Sequence, residues 1–242
     1  MKKLFLLVLA FAFAYSAQAQ SIGLKAGYGM SGYTTNFYTP DGAKMATGLN
    51  LGLVAGLDLK VIELRGDVTF VQLGSDFDSR DMADEDWPAR TAFSMEVDSK
   101  TTVNYLNIGV SAIKGLGPVY VGVGPYFGMA LSSSEETNID MGGDVTTTTI
   151  DIFDEPKDDG TGGYGDLYNK TDVGANLLLG AKFSGAFVEA NVGYGFMNFI
   201  NTDSDYYLKD NYTQDKEGTA MTEDAKQNNL FFGISVGYTF GF

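Results

Sequence analysis

Eight ionisable side chains share one side of an alternating sequence pattern, and their types suit ion pairing better than catalysis. Three are basic, five are acidic, and their same-side neighbours are mostly glycine or small polar residues. A charge held away from water is tolerated when opposite charges and hydrogen bonds surround it. We therefore expect an internal ion-pair network made of Lys25, Asp58, Glu63, Arg65, Asp67, Asp172, Lys182 and Glu189.

A second candidate site is the acidic stretch from Asp154 to Asp166, in which carboxylates stand near glycines. Ca²⁺ prefers oxygen ligands of this kind, but the spacing departs from that of an EF-hand loop, and Pro156 and Lys157 interrupt it. A solvated acidic loop is the better interpretation. The alternative is a divalent cation that bridges the loops to each other or to glycolipid phosphates, with the weak candidate ligands Asp154, Asp158, Asp159 and Asp166.

The composition excludes several classes of function. The chain has no histidine and no cysteine, so hydrolases that use histidine, cysteine nucleophiles and ordinary zinc sites each lack a required group. A carboxylate pair remains open as catalytic machinery, but the acids follow no pattern. We expect no enzymatic activity and no cofactor, and the net charge of −15 disfavours nucleic acid as a partner.

Apolar residues alternate with small or polar residues in eight separate segments. The second segment is the clearest, because leucines recur at alternate positions from Leu49 to Leu59 while Gly48, Asn50 and Asp58 lie on the other parity. Side chains of successive strand residues point to opposite faces, so this pattern predicts strands. The segments lie near residues 22–30, 48–59, 62–70, 106–112, 119–129, 172–182, 188–196 and 230–242.

The position of the charges distinguishes a membrane barrel from a soluble β-sandwich, which also alternates. The eight ionisable residues named above all lie on the glycine-rich parity. A charge that faces lipid costs up to about 2–4 kcal/mol near the bilayer midplane, so the lipid-facing parity of a membrane barrel should lack charges. In a soluble β-sandwich the water-facing positions usually carry Thr, Lys or Glu, not Gly. The pattern predicts an all-β fold, a closed eight-stranded antiparallel up-and-down transmembrane β-barrel with a crowded interior.

Short and long connections alternate between the segments, as they do in outer-membrane barrels. Tight turns are expected at Lys60-Val61, Gly115-Leu116-Gly117 and Ser184-Gly185. Most of the 31 acidic residues lie in the long connections, which we expect on the external side, with both chain ends on the periplasmic side. The four long external loops are predicted at about 31–46, 74–102, 131–170 and 199–228, and the longest either is disordered or extends the strands above the membrane.

The first residues have the organisation of a secretory signal. Lys2 and Lys3 precede an apolar run from Leu4 to Ala14, and Ala17-Gln18-Ala19 provides a cleavage pattern. The alternative is a membrane anchor, but this run is much shorter than the roughly 20 residues that cross a bilayer as a helix. We expect a signal peptide over 1–19 and a single barrel domain over 20–242.

Four short stretches resemble the outer-membrane β-barrel proteins typical of Bacteroidota, known as porin-family or PorT-like proteins. The sequence departs from that family at Gly109, where proline is frequent, and at Asn107, where the family is more acidic; these departures blur the subfamily. The resemblance spans nearly the whole mature chain and implies the outer membrane of a Gram-negative bacterium, with its lipid as a partner. The stretches are Ile22-Gly23-Leu24-Lys25-Ala26-Gly27, Tyr105-Leu106-Asn107-Ile108-Gly109, Gly124-Pro125-Tyr126 and Gly237-Tyr238-Thr239-Phe240-Gly241-Phe242.

Aromatic residues near the segment ends suggest contacts at the membrane surface. Tyr33 and Phe199, among others, are predicted to belong to an interfacial girdle. The resemblance also implies that the barrel-insertion machinery recognises an aromatic C-terminal strand. Tyr238, Phe240 and Phe242 are the matching residues here.

Two functions fit these observations. The first is a closed barrel that presents acidic external loops to a surface or envelope partner, because an eight-stranded lumen is filled by side chains. The second is porin-like transport or a secretion-associated role. The sequence names neither a ligand nor a partner.

Overall fold

The computed structural model of the protein describes residues 21–39, 42–81, 95–157, 162–207 and 224–241. The predicted signal peptide, Asp158, Asp159 and Phe242 lie outside these ranges. Within them, no helix is long and apolar enough to cross a membrane. The strands are Ser21–Thr35 (β1), Ala43–Asp58 (β2), Glu63–Asp78 (β3), Met95–Leu116 (β4), Val119–Met141 (β5), Asp144–Ile150 (β6), Thr171–Phe183 (β7), Ala186–Gly195 (β8) and Gln227–Gly241 (β9), with a short 3-10 helix at Ser79–Asp81.

Eight of the strands close into a ring. Consecutive ring strands pair antiparallel in the order β1-β2-β3-β4-β5-β7-β8-β9, and β9 pairs again with β1 through the register Lys25↔Gly237. The short β6 pairs only with β5 and stays outside the ring. The predicted eight-stranded antiparallel barrel is confirmed. Below, the "turn end" is the end with the three short turns, and the "loop end" is the opposite one.

The apolar parity of the strands faces outward, as the alternation predicts. On β2, Leu53 is 51% exposed while its neighbour Val54 is 2% exposed. On β9, Val236 is 58% exposed while Ser235 is buried. The same alternation of exposed apolar and covered residues recurs around the ring, so the hydrophobic side chains of this protein lie mostly on its surface.

Glycines on the inner face make room for large aromatic rings. A Cβ atom added at Gly180 would overlap the ring of Tyr120, and one added at Gly193 would overlap the ring of Phe231. The same relation joins Gly174 to Tyr126 and Gly237 to Phe187. The glycine-rich parity therefore reflects a densely packed interior, since a narrow barrel can hold a ring on one strand only if its neighbour has no side chain.

The three short turns use backbone conformations that L-residues rarely adopt. Lys60 and Ser184 have φ values of 70° and 48°, and Gly117 has φ of 74°. Two turns lie where the sequence predicts them, but the middle one is at Gly117-Pro118, beyond the predicted Gly115-Leu116-Gly117. Gly117 tolerates the positive φ without strain, which fixes the reversal at that residue.

Several predicted external loops are partly strand. Residues 74–78 and 95–102 continue β3 and β4, and within the predicted loop 131–170 the strand β5 runs on to Met141 and turns at Gly142-Gly143 into β6. The first part of that loop, over residues 131–141 and 144–150, is therefore strand. These segments are rich in Thr, which favours strands, and in Ser. They lack one apolar face and so escape a search for hydrophobic alternation.

An apolar cluster, which we call the cap, lies at the loop end. Ile152 and Phe199 come from connections, are 1% and 4% exposed, and pack against inward-facing residues of the strands. Phe199 stacks between Tyr33 and Tyr168, with ring centroids 5.3 and 4.8 Å away. The girdle role predicted for Tyr33 and Phe199 is therefore wrong, because both rings face this cluster and not the membrane surface. The cap comprises Leu73, Val103, Tyr105, Tyr126, Ile152, Phe199 and Phe231, with Tyr33, Phe153, Tyr164 and Tyr168 against it.

Packing of rings over glycines predicts a specific pattern of stability. Gly193→Ala should lower the free energy of unfolding by about 1–3 kcal/mol, because the new methyl group displaces the Phe231 ring. Adding Phe231→Leu should recover part of that loss, so the two effects are not additive. Urea unfolding in detergent micelles measures both. Ala190→Val on the outer face of the same strand should change stability by less than about 0.5 kcal/mol; an equal effect at the two positions would contradict the packing described.

Candidate functional site

Four of the predicted lumen residues meet in one layer inside the ring. Lys25 lies on β1, Arg65 and Asp67 lie on β3, and Glu189 lies on β8. The ammonium of Lys25 is 2.8 Å from Asp67 Oδ1 and 3.9 Å from Glu189 Oε1. The guanidinium of Arg65 is 2.6 Å from Glu189 Oε2 and 3.5 Å from Asp67 Oδ2. Each cation thus contacts both anions, and we call these residues the ion-pair layer.

The layer is nearly free of solvent. The side chain of Glu189 is 2% exposed and that of Arg65 is 6% exposed. Two positive and two negative groups leave the layer neutral, and the hydroxyl of Tyr120 donates a further hydrogen bond to Glu189 Oε2 at 2.9 Å. A charge in such surroundings is stable only while its partners are present. The chemistry of the layer is therefore mutual neutralisation across β1, β3 and β8.

The other four predicted residues are not part of this layer. Asp172 is buried towards the loop end, where its Oδ2 accepts hydrogen bonds from Tyr126 and Asn229 at 2.7 and 3.0 Å. Asp58, Glu63 and Lys182 line a cavity at the turn end. The expectation of a single network of eight residues is thus wrong, because residues on the same inner face differ in height along the barrel axis, which the parity of a strand does not report.

A small polar chamber separates the ion-pair layer from the cap. Its volume is about 60 Å³, and the Oγ of Ser235 donates to Asn50 Oδ1 across it at 2.9 Å. Amide and hydroxyl side chains lie in its wall beside apolar ones, and they suit hydrogen bonding to a few water molecules. The wall includes Asn50, Asn107, Ser111, Asn176, Asn191 and Ser235.

Of the candidate ligands in the acidic loop, the structure describes Asp154 and Asp166. Asp166 accepts a short hydrogen bond from Ser204, and the backbone carbonyl of Asp154 accepts one from the Gly165 amide at 2.8 Å. Among the residues that the structure describes, no group of three or more acidic side chains is arranged to hold a metal ion. The two described candidates therefore have structural contacts within the loops.

A cluster of charges at the loop end was not predicted from the sequence. Arg80 binds Asp78 through both carboxylate oxygens at 3.0 Å and reaches Asp98 at 3.4 Å. The hydrogen bonds from Arg80 lower the pKa of Asp78 to about 2. Burial and the nearby Asp78 carboxylate raise the pKa of Asp98. Asp78 and Arg80 are two residues apart, but Asp98 lies 18 residues beyond Arg80. The pairing of β3 with β4, with Asp78 opposite Asp98, brings Asp98 to them.

The aromatic partners of the buried charges were also missed. Tyr120 binds Glu189, and Tyr126 binds Asp172. A signal was present, because both tyrosines lie on the glycine-rich parity of β5 together with Gly122, Gly124 and Gly128. A large polar ring at such a position points into the lumen and needs a hydrogen-bond partner there.

The solved structures to which this chain is similar are outer-membrane barrels with low sequence identity. Neisserial surface protein A is 15% identical over 90% of this chain and 97% of its own, with a TM-score of 0.39. A major outer membrane protein from Thermus thermophilus is 15% identical over 90% and 99%, with a TM-score of 0.40.

The attachment invasion locus protein Ail of Yersinia pestis, whose structure contains the heparin analogue sucrose octasulfate, is 14% identical over 91% and 98%, with a TM-score of 0.39. No protein-family model and no curated protein matches the sequence.

Loss of one cation from the ion-pair layer should be costly. Arg65→Met leaves Glu189 buried with a weaker partner, so we expect the free energy of unfolding to fall by about 3–5 kcal/mol. The double variant Arg65→Met with Glu189→Leu should regain much of this loss, since every buried charge that remains in the layer then has a partner of opposite charge. Urea unfolding of the refolded protein in micelles measures both. Arg80→Met, which removes a solvated arginine, is the control and should have a far smaller effect; equal losses would argue against the layer.

Proposed function

We propose that this protein is a non-enzymatic integral outer-membrane β-barrel, closed to solutes, that presents acidic external loops for surface or envelope interactions. The observation that carries the proposal is the exposed apolar surface on most strands of the ring. Leu24, Leu53, Val123, Leu177 and Val236 lie on five different strands and are each 51–59% exposed. Monomeric soluble proteins rarely expose so extensive an apolar surface, whereas a bilayer requires it.

The height of the apolar band supports a membrane location. The band runs from Leu49 on β2 to Leu59, the first residue after that strand. This is about 33 Å along the chain at roughly 3.3 Å per residue, or about 25 Å along the axis at a typical tilt near 40°. Above it the outer face becomes polar. Gln72 donates to Asn104 at 3.1 Å and Asn104 donates to Ser132 at 2.9 Å, across β3, β4 and β5.

The orientation follows from the two ends. Short turns face the periplasm and long loops face outward in barrels of this kind, so we assign the turn end to the periplasm. Export through the predicted signal peptide, and insertion aided by Tyr238, Phe240 and Phe242, belong to the same proposal. Tyr238 and Phe240 are 46% and 56% exposed on the outer face, as a lipid-facing or machinery-facing strand needs. Membership of the PorT-like group of Bacteroidota proteins also remains a proposal.

Two obstacles in series support a closed barrel. The ion-pair layer fills the middle of the lumen with paired side chains. The apolar cap then occupies the loop end, with Ile152 and Phe199 seated in it. A hydrated ion that passed would have to break the ion pairs and shed water against aromatic rings, both of which cost energy.

The loops are the part available to partners. They carry most of the acidic residues, and the extended β4, β5 and β6 hold part of that charge above the polar rim. Such a surface favours a basic partner or one bridged by divalent cations, and repels nucleic acid. Porin-like transport or a secretion role is the second candidate, favoured by the polar chamber and by the cavity at the turn end.

Two matched substitutions test the membrane location. Leu53→Arg, in the apolar band, should lower the free energy of unfolding from lipid vesicles by about 2–4 kcal/mol, because the charge must enter hydrocarbon. Val145→Arg should have little effect, although Val145 on β6 is even more exposed, at 62% against 51%. Equal and small effects would mean that water surrounds both positions and would overturn the proposal.

Conductance separates the closed barrel from the transport alternative. The purified mature protein in planar bilayers should show no large, steady single-channel current, because the ion-pair layer and the cap lie in series. A variant lacking the Ile152 and Phe199 side chains (Ile152→Ala with Phe199→Ala) should remain closed, since the ion-pair layer is intact. Steady conductance of the unmodified protein would support transport instead.

A further inference from the structure

A cavity of about 300 Å³ opens at the turn end, and its charge is opposite to that of the protein as a whole. The chain has a net charge of −15, but the ionisable residues that line this cavity are four basic and two acidic. We propose that this cavity is a binding site for an organic phosphate. Its ionisable residues are Asp58, Lys60, Glu63, Arg65, Lys114 and Lys182.

The lysines converge on the cavity from three separate turns. Lys60 is in the turn between β2 and β3, Lys114 precedes the turn between β4 and β5, and Lys182 precedes the turn between β7 and β8. The Lys114 ammonium is tethered at 2.8 Å to the carbonyl of Val61, so two neighbouring turns are linked at the rim. Three lysines that line one cavity from different turns suit an anion with several oxygens.

Lys60 occupies a position that favours glycine. Its φ is 70°, and a positive φ in a two-residue hairpin turn is strained for a residue with a side chain. The turn itself is well formed, with the Leu59 amide bonded to the Ile62 carbonyl at 2.9 Å and the Lys60 amide bonded to Asp58 Oδ1 at 2.7 Å. The geometry of this turn does not require a lysine. We therefore attribute the lysine at the strained position to a ligand that its ammonium group binds.

The inner wall of the cavity selects the organic part of the ligand. Arg65 lines the cavity, but its guanidinium is already paired with Glu189 and Asp67. The hydroxyl of Tyr120 already donates a hydrogen bond to Glu189. Beside the polar groups of the cavity, Ile113, Phe187 and the Tyr120 ring add apolar surface to its wall. The site therefore combines an anion-binding rim with an apolar wall, which fits a phosphate ester better than free phosphate. The phosphate could belong to a phospholipid headgroup or to a soluble ester.

The probe is glycerol 3-phosphate. Glycerol, which is uncharged, is the control ligand. Calorimetry on the full mature protein in zwitterionic nanodiscs should detect glycerol 3-phosphate and not glycerol, with weaker binding at higher salt. Lys60→Gly should lower the affinity at least about fivefold while raising thermal stability, because glycine relieves the positive φ. Lys182→Gln should lower the affinity by a similar factor.

Ser184→Gly is the matched control. Ser184 has a φ of 48° in another short turn, so glycine there should also raise stability, but no ammonium group is lost and the affinity should not change. Binding of glycerol 3-phosphate no tighter than glycerol, or unchanged affinity in Lys60→Gly, would overturn the proposal. The titration in nanodiscs rests on the proposed membrane location, which the Leu53 and Val145 variants test separately, so failure of one proposal is distinguishable from failure of the other.

A second arm identifies the source of the phosphate. Phosphatidylglycerol is added to the nanodiscs before the titration. If the site takes lipid headgroups, the added lipid should compete with glycerol 3-phosphate in the unmodified protein. If the site takes soluble esters, the titration should be unchanged. Either result supports phosphate recognition at this rim.

Discussion

Every strand of the ring has to satisfy two surroundings at once, and this constraint governs the rest of the structure. The outer face carries Leu, Val, Ile and aromatic residues with no charge in the apolar band, while the inner face holds all the buried ions described above. A shift of one residue in register would exchange the two faces. The closed ring prevents such a shift and leaves no unpaired strand edge in the apolar band.

The narrow interior of the barrel is the second constraint on the structure. An eight-stranded ring has room only for side chains, so charges must be neutralised locally and rings must be matched by glycines. Lys25, Arg65, Asp67 and Glu189 illustrate the first requirement, and the pairing of Gly180 with Tyr120 illustrates the second. Together with the cap around Phe199, these contacts replace the hydrophobic core that a soluble protein of this size would have.

The two ends of the barrel differ in charge, and this difference is informative about function. The loop end carries most of the acidic residues, some held on strands that extend beyond the apolar band. The turn end presents lysines from three turns around one cavity. A neutral ion-pair layer separates them. The turn end and the loop end of the barrel therefore present surfaces of different charge.

The sequence by itself determined the strand pattern, the closed eight-stranded architecture and the side of each strand that faces inward, because alternation is a local property that Leu49 to Leu59 display directly. It could not determine height along the axis, which depends on the stagger of paired strands. For this reason Glu189 and Asp172 were expected in one network. Glu189 does pair with Lys25 and Arg65. Asp172 instead accepts hydrogen bonds from Tyr126 and Asn229. The cap and the turn-end cavity were likewise decided by the tertiary structure, since Ile152, Phe199 and Lys60 acquire their neighbours only when distant segments meet.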